Sequence, residues 1–214
     1  MSHTHVSPPD NGLDLIYRDE SIIVVNKPAG LLSVPGRGVH KMDNLTTRVQ
    51  KEFPDALNVH RLDMSTSGLI VMALGKEMHR RISAMFRERC VEKRYIALVA
   101  GQMAAAGEVA LPLGSDWINR PRQKVDFTIG KPSLTQYRLL EHNARTDTSS
   151  VELKPVTGRT HQLRVHMAAL GHPILGDELY GGYPSERLML HACFLSFAHP
   201  LNGGLLTAEC KPPF

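Results

Sequence analysis

The sequence has little cysteine, and its three cysteines stand far apart. Cys90, Cys193 and Cys210 form no CxxC pair, which argues against a structural zinc site and against a disulfide framework. Such usage is typical of the reducing cytoplasm. No apolar run approaches the roughly 18 residues that span a bilayer, and the segment MSHTHVSPPDNG lacks the regions of a secretory signal. We therefore expect a cytoplasmic protein with no membrane partner.

Motifs for nucleotide cofactors and for acyl transfer are missing as well. The chain contains no GxxxxGK[ST] loop and no GxGxxG after a strand, and Ser67 lacks a GxSxG elbow. His161 and His166 are five residues apart, which is roughly 140° around a helix, so they cannot bind one ion as an i, i+4 pair would. We predict no cofactor and no metal, which disfavours a metal-dependent hydrolase.

The positive charge is concentrated in two segments. Residues 76–94 hold seven Lys or Arg against three Glu, and residues 118–138 hold five against one Asp. Each segment is therefore +4, equal to the formal net charge of the whole chain. Two basic segments on a mildly acidic body indicate a footprint for a phosphate backbone. A solvated helix face and a solvated loop would give the same pattern, so charge alone leaves both interpretations open.

The hydrophobic pattern indicates strands and helices in irregular alternation. Helical spacing predicts helices from an Asp43 or Asn44 cap to Pro54, over residues 76–89, and from a Thr160 cap to Gly171. We predict a flexible tail over residues 1–12, a single domain over 13–214, a loop at 31–41 and a short polar C-terminal end. Predicted strands cover residues 14–18, 21–26, 69–74, 95–100, 109–113, 135–141, 151–154 and 188–197. Strands outnumber helices, so the predicted fold class is α+β.

One carboxylate has an unusual setting. Asp63 lies between the basic His60 and Arg61 and a small-hydroxyl turn, and an apolar run at residues 69–74 follows. Such a run behind a glycine predicts a buried strand, so Asp63 would sit on a loop pinned to a sheet, where catalytic groups are often found. The residues alone equally allow Asp63 to cap a turn or to pair with Arg61.

Several short segments occur in a recognisable order. They are NKPAGL at 26–31, HRLD and TSGL within 60–69, KRYIALV at 93–99, TGRTHQLRVH at 157–166, GHPILGD at 171–177 and LHA at 190–192. Together they resemble the RluA-type family of pseudouridine synthases over about residues 14–200. The resemblance implies the pseudouridine synthase fold, a mixed and mostly antiparallel sheet flanked by helices and loops around a central RNA-binding cleft.

The resemblance also implies which RNAs the protein modifies. The larger members of the family carry an N-terminal S4-type RNA-binding domain, for which the twelve tail residues leave no room, and the segment at 115–125 resembles that of the small dual-specificity members. We therefore expect an isomerase that acts, without a cofactor, on one uridine in the tRNA anticodon loop and one in 23S ribosomal RNA. Its partners would be these two stem-loops, and we expect a monomer because no exposed apolar stripe is evident.

Three residues acquire catalytic roles through the resemblance. Asp63 would either attack covalently or remove a sugar proton, and Arg164 would keep it ionised through a bidentate pair. Tyr95 would stack on the uracil and take part in proton transfer at C5. Without the resemblance, Arg164 would be a helix-surface ion pair and Tyr95 half-buried packing.

Further residues are predicted to bind RNA. Arg61 resembles the family arginine that fills the space of the flipped base, although alone it would be an ordinary surface arginine. The other predicted RNA-binding residues are His60, Arg80, Arg87, Arg120, Arg122, Lys124, Arg159 and His161. A non-catalytic RNA-binding or chaperone module on the same fold would use the basic segments equally well, but it would give Asp63, Tyr95 and Arg164 no reason to occur together.

Overall fold

The computed structural model describes residues 6–36 and 42–214. Part of the predicted tail (residues 1–5) and part of the predicted loop (residues 37–41) therefore lie outside the described residues. The chain divides into two compact units. Unit 1 comprises Met1–Glu92 and Ala192–Pro213, and unit 2 comprises Lys93–His191 and Phe214. That residues 13–214 form one catalytic domain stays a prediction.

The described residues form three α-helices and twelve β-strands, most of them short. The helices are α1 (Leu45–Gln50), α2 (Lys76–Arg87) and α3 (Gln162–Ala169). The strands are β1 (Leu15–Arg18), β2 (Ile22–Lys27), β3 (Ala56–Asn58), β4 (Ser67–Leu74), β5 (Glu92–Ala100), β6 (Ala106–Val109), β7 (Leu113–Ser115), β8 (Gln123–Val125), β9 (Thr135–Asn143), β10 (Thr148–Pro155), β11 (Leu190–Ala198) and β12 (Leu205–Glu209). The predicted α+β class is confirmed.

Unit 1 is built on a sheet with the strand order β1-β2-β4-β11. In addition, β3 pairs with β4 and β12 pairs with β11, both antiparallel. The apolar runs of β2 and β4 are buried because they pair with each other in the middle of this sheet, from Ile22 opposite Ala73 to Lys27 opposite Gly68. Helix α2 packs its buried Met78 and Ile82 into the same core.

Unit 2 contains a second antiparallel arrangement, in the order β5-β10-β9-β6. Its core includes Val99, Val151 and Leu153 from the strands and Leu163 and Met167 from α3. Strands β7 and β8 form a separate two-stranded hairpin. Strand β8 and the turn before it lie in the second basic segment, residues 118–138.

Two helix starts differ in their capping. Asn44 caps α1 as predicted, because its Oδ1 accepts the backbone N–H of Thr47 at 3.0 Å. The predicted Thr160 cap of α3 is wrong: His161 is the cap residue, with φ 55°, and its side chain makes no capping hydrogen bond. The predicted end is confirmed, since Gly171 follows α3 with φ +84°.

Two strand predictions are also corrected. No single strand covers residues 109–113, because β6 ends at Val109 and Pro112, which has no N–H to donate to a ladder, precedes β7. The end of the chain is not merely polar, since β12 pairs with β11 from Leu205 opposite Ala198 to Glu209 opposite Phe194. Its five residues alternate between exposed and buried, which is the pattern of an edge strand with one face on a core.

Candidate functional site

Asp63 lies half-buried in the loop between β3 and β4 of unit 1. Its backbone carbonyl accepts the Thr66 N–H at 3.1 Å, which closes a turn directly behind the carboxylate. The next residue, Met64, accepts the Gly30 N–H through its carbonyl at 2.8 Å. The NKPAGL segment therefore contacts the Asp63 loop directly.

Lys27 holds the same loop from inside unit 1. Its side chain is fully buried, and its Nζ donates to the carbonyls of Pro28 at 2.8 Å, Leu31 at 2.7 Å and Met64 at 3.1 Å. A buried ammonium is tolerated only where such partners replace its water shell. No role was predicted for Lys27. A lysine at the end of the largely apolar strand IIVVNK is nevertheless a visible signal of a buried ammonium that needs hydrogen-bond partners.

Ser33 fixes the other side of the loop. Its hydroxyl donates to the carbonyl of Leu62 at 2.8 Å, and the Leu62 N–H donates back to the hydroxyl oxygen at 3.1 Å. Ser33 and Leu62 are both buried. The residues on both sides of Asp63 are thus held through their backbones.

Gly68 is required by close packing at the start of β4. A Cβ at this position would lie 2.3 Å from the backbone oxygen of Ala192, and the φ of Gly68 is +116°. Only glycine accepts both conditions. The TSGL segment therefore lies directly against Ala192, the last residue of the LHA segment.

His60 is engaged within unit 1. Its Nε2 accepts the backbone N–H of Val71 at 2.9 Å, so this nitrogen carries no proton. The ring stacks on Phe86 of α2 with the centroids 4.4 Å apart. These contacts give His60 a structural role, and its binding of RNA stays a prediction.

The other predicted RNA-binding residues of unit 1 are exposed. Arg61 is exposed beside Asp63, whereas Arg80 and Arg87 are exposed on α2. Arg80 pairs with Glu77 at 2.8 Å and Arg87 with Glu88 at 3.9 Å. Such exposed pairs contribute at most about 1 kcal/mol each, so a phosphate can compete for these guanidinium groups.

Arg164 is one of the most buried cations of unit 2. Its side chain is 6% exposed, and its Nε and Nη2 donate to the two carboxylate oxygens of Asp177 at 2.8 and 2.7 Å. This bidentate pair fixes the plane of the guanidinium. The alternative of a helix-surface ion pair is wrong because both partners are buried.

His161 starts α3 in a left-handed conformation, with φ 55°. Such backbone strain costs about 1–3 kcal/mol and often marks a functional site. The His161 Nδ1 lies 2.7 Å from the hydroxyl oxygen of Tyr180. Tyr180 also lies near Arg164, whose guanidinium carbon is 5.2 Å from the ring centroid.

Tyr95 lies half-buried in β5, opposite Leu153 of β10. Its ring packs against the core of unit 2. In the same strand, burial lowers the pKa of the Lys93 ammonium below its ordinary value. The catalytic role of Tyr95 stays a prediction.

Two polar residues of the TGRTHQLRVH motif serve the fold of unit 2. Buried Gln162 donates to the Leu134 carbonyl at 2.9 Å and to Thr135 Oγ1 at 3.0 Å. His166 lies between Thr135 Oγ1 at 2.9 Å and the Leu111 carbonyl at 3.1 Å, and burial lowers its pKa. Beside the predicted site residues, the motif therefore contains residues that hold α3 in place.

The tip of the basic hairpin β7–β8 is exposed. At its tip, the guanidinium carbon of Arg120 lies 3.5 Å from the centroid of the Trp117 ring, and this ring is 69% exposed. Arg122 is exposed as well, and Lys124 Nζ lies 3.7 Å from Asp126. Exposed cations next to an exposed aromatic ring are typical of surfaces that bind nucleic-acid backbones and unpaired bases.

The remaining predicted residue, Arg159, is exposed just before α3. Its guanidinium donates to the Pro132 carbonyl at 3.4 Å through Nε. Within residues 6–36 and 42–214, no three His, Cys, Asp or Glu side chains are grouped so as to hold a metal ion. In the same part of the chain, no helix is long and apolar enough to cross a membrane.

Comparison with known sequences identifies the family. Residues 21–169 match the family model described as RNA pseudouridylate synthase, a match that runs through both units. The chain belongs to this family. It is 50% identical over 220 residues to the dual-specificity RNA pseudouridine synthase RluA of Escherichia coli strain K12, and the alignment covers 100% of both chains. The protein of the same name from Haemophilus ducreyi is 46% identical over 223 residues, again with both chains fully covered.

Solved structures of the family have the same fold. Human RNA Pseudouridylate Synthase Domain Containing 1 superposes with a TM-score of 0.82 at 33% identity, covering 98% of this chain and 87% of that chain. Human RNA Pseudouridylate Synthase Domain Containing 4 gives a TM-score of 0.75 at 27% identity, with 93% and 88% covered. The protein is therefore an isomerase that converts uridine in RNA to pseudouridine. The predicted family, fold class and enzymatic activity are confirmed, and the alternative of a non-catalytic module has no support.

Proposed function

We propose that this pseudouridine synthase has two substrates, a tRNA anticodon stem-loop and a stem-loop of 23S ribosomal RNA. The observation that carries the proposal is the 50% identity, over the full length of both chains, to an enzyme whose name states dual specificity. A hairpin with exposed Arg120 and Arg122 suits both substrates, because phosphate contacts position a stem-loop without reading its sequence.

The reaction requires a uridine that leaves its stack, since the bond between N1 and C1′ is inaccessible within a folded loop. That bond breaks, the uracil turns, and a bond between C5 and C1′ forms. Asp63 either attacks covalently or removes a sugar proton, and in both routes its carboxylate must be ionised. Arg61, exposed beside Asp63, would fill the space that the flipped base leaves.

Arg164 is the proposed partner of the Asp63 carboxylate. A guanidinium suits this role because its planar fork of N–H donors matches the two oxygens of a carboxylate. The guanidinium has five N–H donors, and the pair with Asp177 engages its Nε and Nη2. Asp177 thus fixes the orientation of the Arg164 guanidinium within unit 2.

Tyr95 is proposed to contact the uracil ring. A half-buried tyrosine can stack on a base while its hydroxyl takes part in a proton transfer, which the final loss of the C5 proton requires. His60, Arg80, Arg87, Lys124, Arg159 and His161 complete the proposed RNA footprint. We further propose that the enzyme works as a monomer in the cytoplasm and without a cofactor.

Mapping pseudouridine in cells tests the proposed targets. Total tRNA and ribosomal RNA from cells with and without the gene would be mapped for pseudouridine at single-nucleotide resolution. We expect one site in a tRNA anticodon loop and one in 23S ribosomal RNA to lose the modification, and both to regain it when the gene is returned. Loss in only one class of RNA would contradict dual specificity, and loss at neither would contradict both targets.

A further inference from the structure

A set of contacts centred on Tyr180 joins the β7–β8 hairpin to the start of α3. The backbone N–H of Gln123 in β8 donates to the Tyr180 hydroxyl oxygen at 2.8 Å, and His161 Nδ1 lies 2.7 Å from the same oxygen. The guanidinium carbon of Arg164 lies 5.2 Å from the centroid of the Tyr180 ring. All four residues belong to unit 2. One side chain therefore contacts Gln123 of the basic hairpin, the cap residue His161 of α3 and the buried Arg164.

The Tyr180 hydroxyl can accept and donate at the same time. A phenolic oxygen that accepts the N–H of Gln123 still has its own proton to donate. Nδ1 of His161 is within reach of that proton, and accepting it places the N–H of a neutral imidazole on Nε2. The hydroxyl thereby sets both the position of a hairpin amide and the orientation of the His161 ring.

The loop that carries Tyr180 is anchored on the same carboxylate as Arg164. Asp177 Oδ1 accepts the backbone N–H of Leu179 at 3.0 Å and that of Tyr180 at 3.3 Å. It also accepts Nη2 of Arg164 at 2.7 Å. Tyr180 and Arg164 are therefore positioned by one buried group, which keeps the ring and the guanidinium in a fixed relation.

We propose that Tyr180 is a positioning residue that couples the RNA-binding hairpin to His161 and Arg164. The inference rests on the roles proposed above for the hairpin and for Arg164. The hydroxyl and the ring of Tyr180 act on different steps, RNA binding and the chemical reaction. The hydroxyl holds the hairpin through Gln123 and supports RNA binding, whereas the ring faces the Arg164 guanidinium and supports the chemical step.

Two substitutions separate these parts. Tyr180→Phe removes the hydroxyl, with its bonds to Gln123 and His161, and keeps the ring. We expect the KM for a stem-loop RNA to rise roughly threefold to tenfold, the range for the one neutral hydrogen bond that holds the hairpin through Gln123. The single-turnover rate at saturating RNA should change less than about twofold. Tyr180→Leu also removes the ring, and that rate should fall by roughly threefold to thirtyfold, the range for a lost cation–π contact. Tyr183→Phe, at an exposed tyrosine of the same loop, is the matched control and should leave both values unchanged.

Amide hydrogen exchange provides a readout that needs no RNA and is therefore independent of the proposed targets. Protection of the Gln123 amide should fall in Tyr180→Phe and persist in Tyr183→Phe, while the strands of the unit 2 core keep theirs. Wild-type Gln123 protection in Tyr180→Phe would overturn the proposal, and so would an unchanged KM. If Tyr180→Leu fails to fold, Tyr180→Phe decides alone.

Discussion

The Asp63 loop of unit 1 and the β7–β8 hairpin of unit 2 differ in how deeply their polar side chains are buried. Around Asp63 the anchors are buried: Lys27 is fully enclosed and donates to three carbonyls, and Ser33 bonds Leu62 twice. In the hairpin, Arg120 and Arg122 are exposed. The first region is fixed by buried polar groups, whereas the second presents cations on its surface.

The difference fits the roles proposed for the two regions. A catalytic carboxylate must stand within a fraction of an ångström of its productive position, which requires neighbours that cannot move. Phosphate contacts act over longer distances and tolerate several geometries, so exposed arginines on a small hairpin are sufficient. Buried cations are therefore expected to control rate and stability, and exposed cations to control binding.

After Asp63, the largest effect on rate is expected at Arg164. Arg164→Met keeps the volume of the side chain but removes the charge proposed to keep Asp63 ionised, so the single-turnover rate should fall at least about a hundredfold. The Kd for stem-loop RNA should change less than about threefold. Arg145→Met, at an exposed arginine in the turn between β9 and β10, is the control and should retain both values. A wild-type rate for Arg164→Met would remove Arg164 from the mechanism.

An effect on stability is expected at Lys27. Lys27→Met leaves the carbonyls of Pro28, Leu31 and Met64 without this donor, so the free energy of unfolding should fall by about 2–4 kcal/mol. Urea denaturation measures this change. Lys51→Met removes a side chain that is 63% exposed and should cost less than about 1 kcal/mol. Equal losses in the two variants would contradict the contrast between buried and exposed cations.

The smallest effect is expected at the hairpin. Replacing Arg120 and Arg122 together by Gln should weaken RNA binding and reduce the slope of log Kd against log salt by roughly 1.4–1.8, as for two lost phosphate contacts. The rate at saturating RNA should stay close to that of the wild type. Binding titrations at several salt concentrations measure the slope, with Arg145→Gln as the control. An unchanged slope would exclude the hairpin from the phosphate footprint.

Much of the fold could be predicted because its signals are local. Helix α2 was predicted from its 3.6-residue spacing, and β2 and β4 from their apolar runs. Strand β12 was missed because its five residues alternate weakly and gain their order from pairing with β11. The cap of α3 was misassigned because a left-handed histidine leaves no mark in a single sequence.

The site was predicted less completely. Asp63 and Arg164 stand in ordered motifs, and the resemblance of these motifs to the family predicts their roles. The contacts of Lys27 were not, because its partners are backbone carbonyls, one of them 37 residues away. Tyr180 was missed for a similar reason: Gln123 lies 57 residues away and His161 19 residues away along the chain. Contacts of this kind appear only when the chain is folded.

The most direct test of the account is the single-turnover rate of Asp63→Asn on a stem-loop RNA. Asparagine keeps the size of the side chain and loses the charge, so RNA binding should persist while the rate falls by at least roughly a thousandfold. Asp55→Asn, at an exposed aspartate of the same unit, should keep the wild-type rate. Pseudouridine formation by Asp63→Asn at near the wild-type rate would contradict the central claim that this carboxylate performs the chemistry.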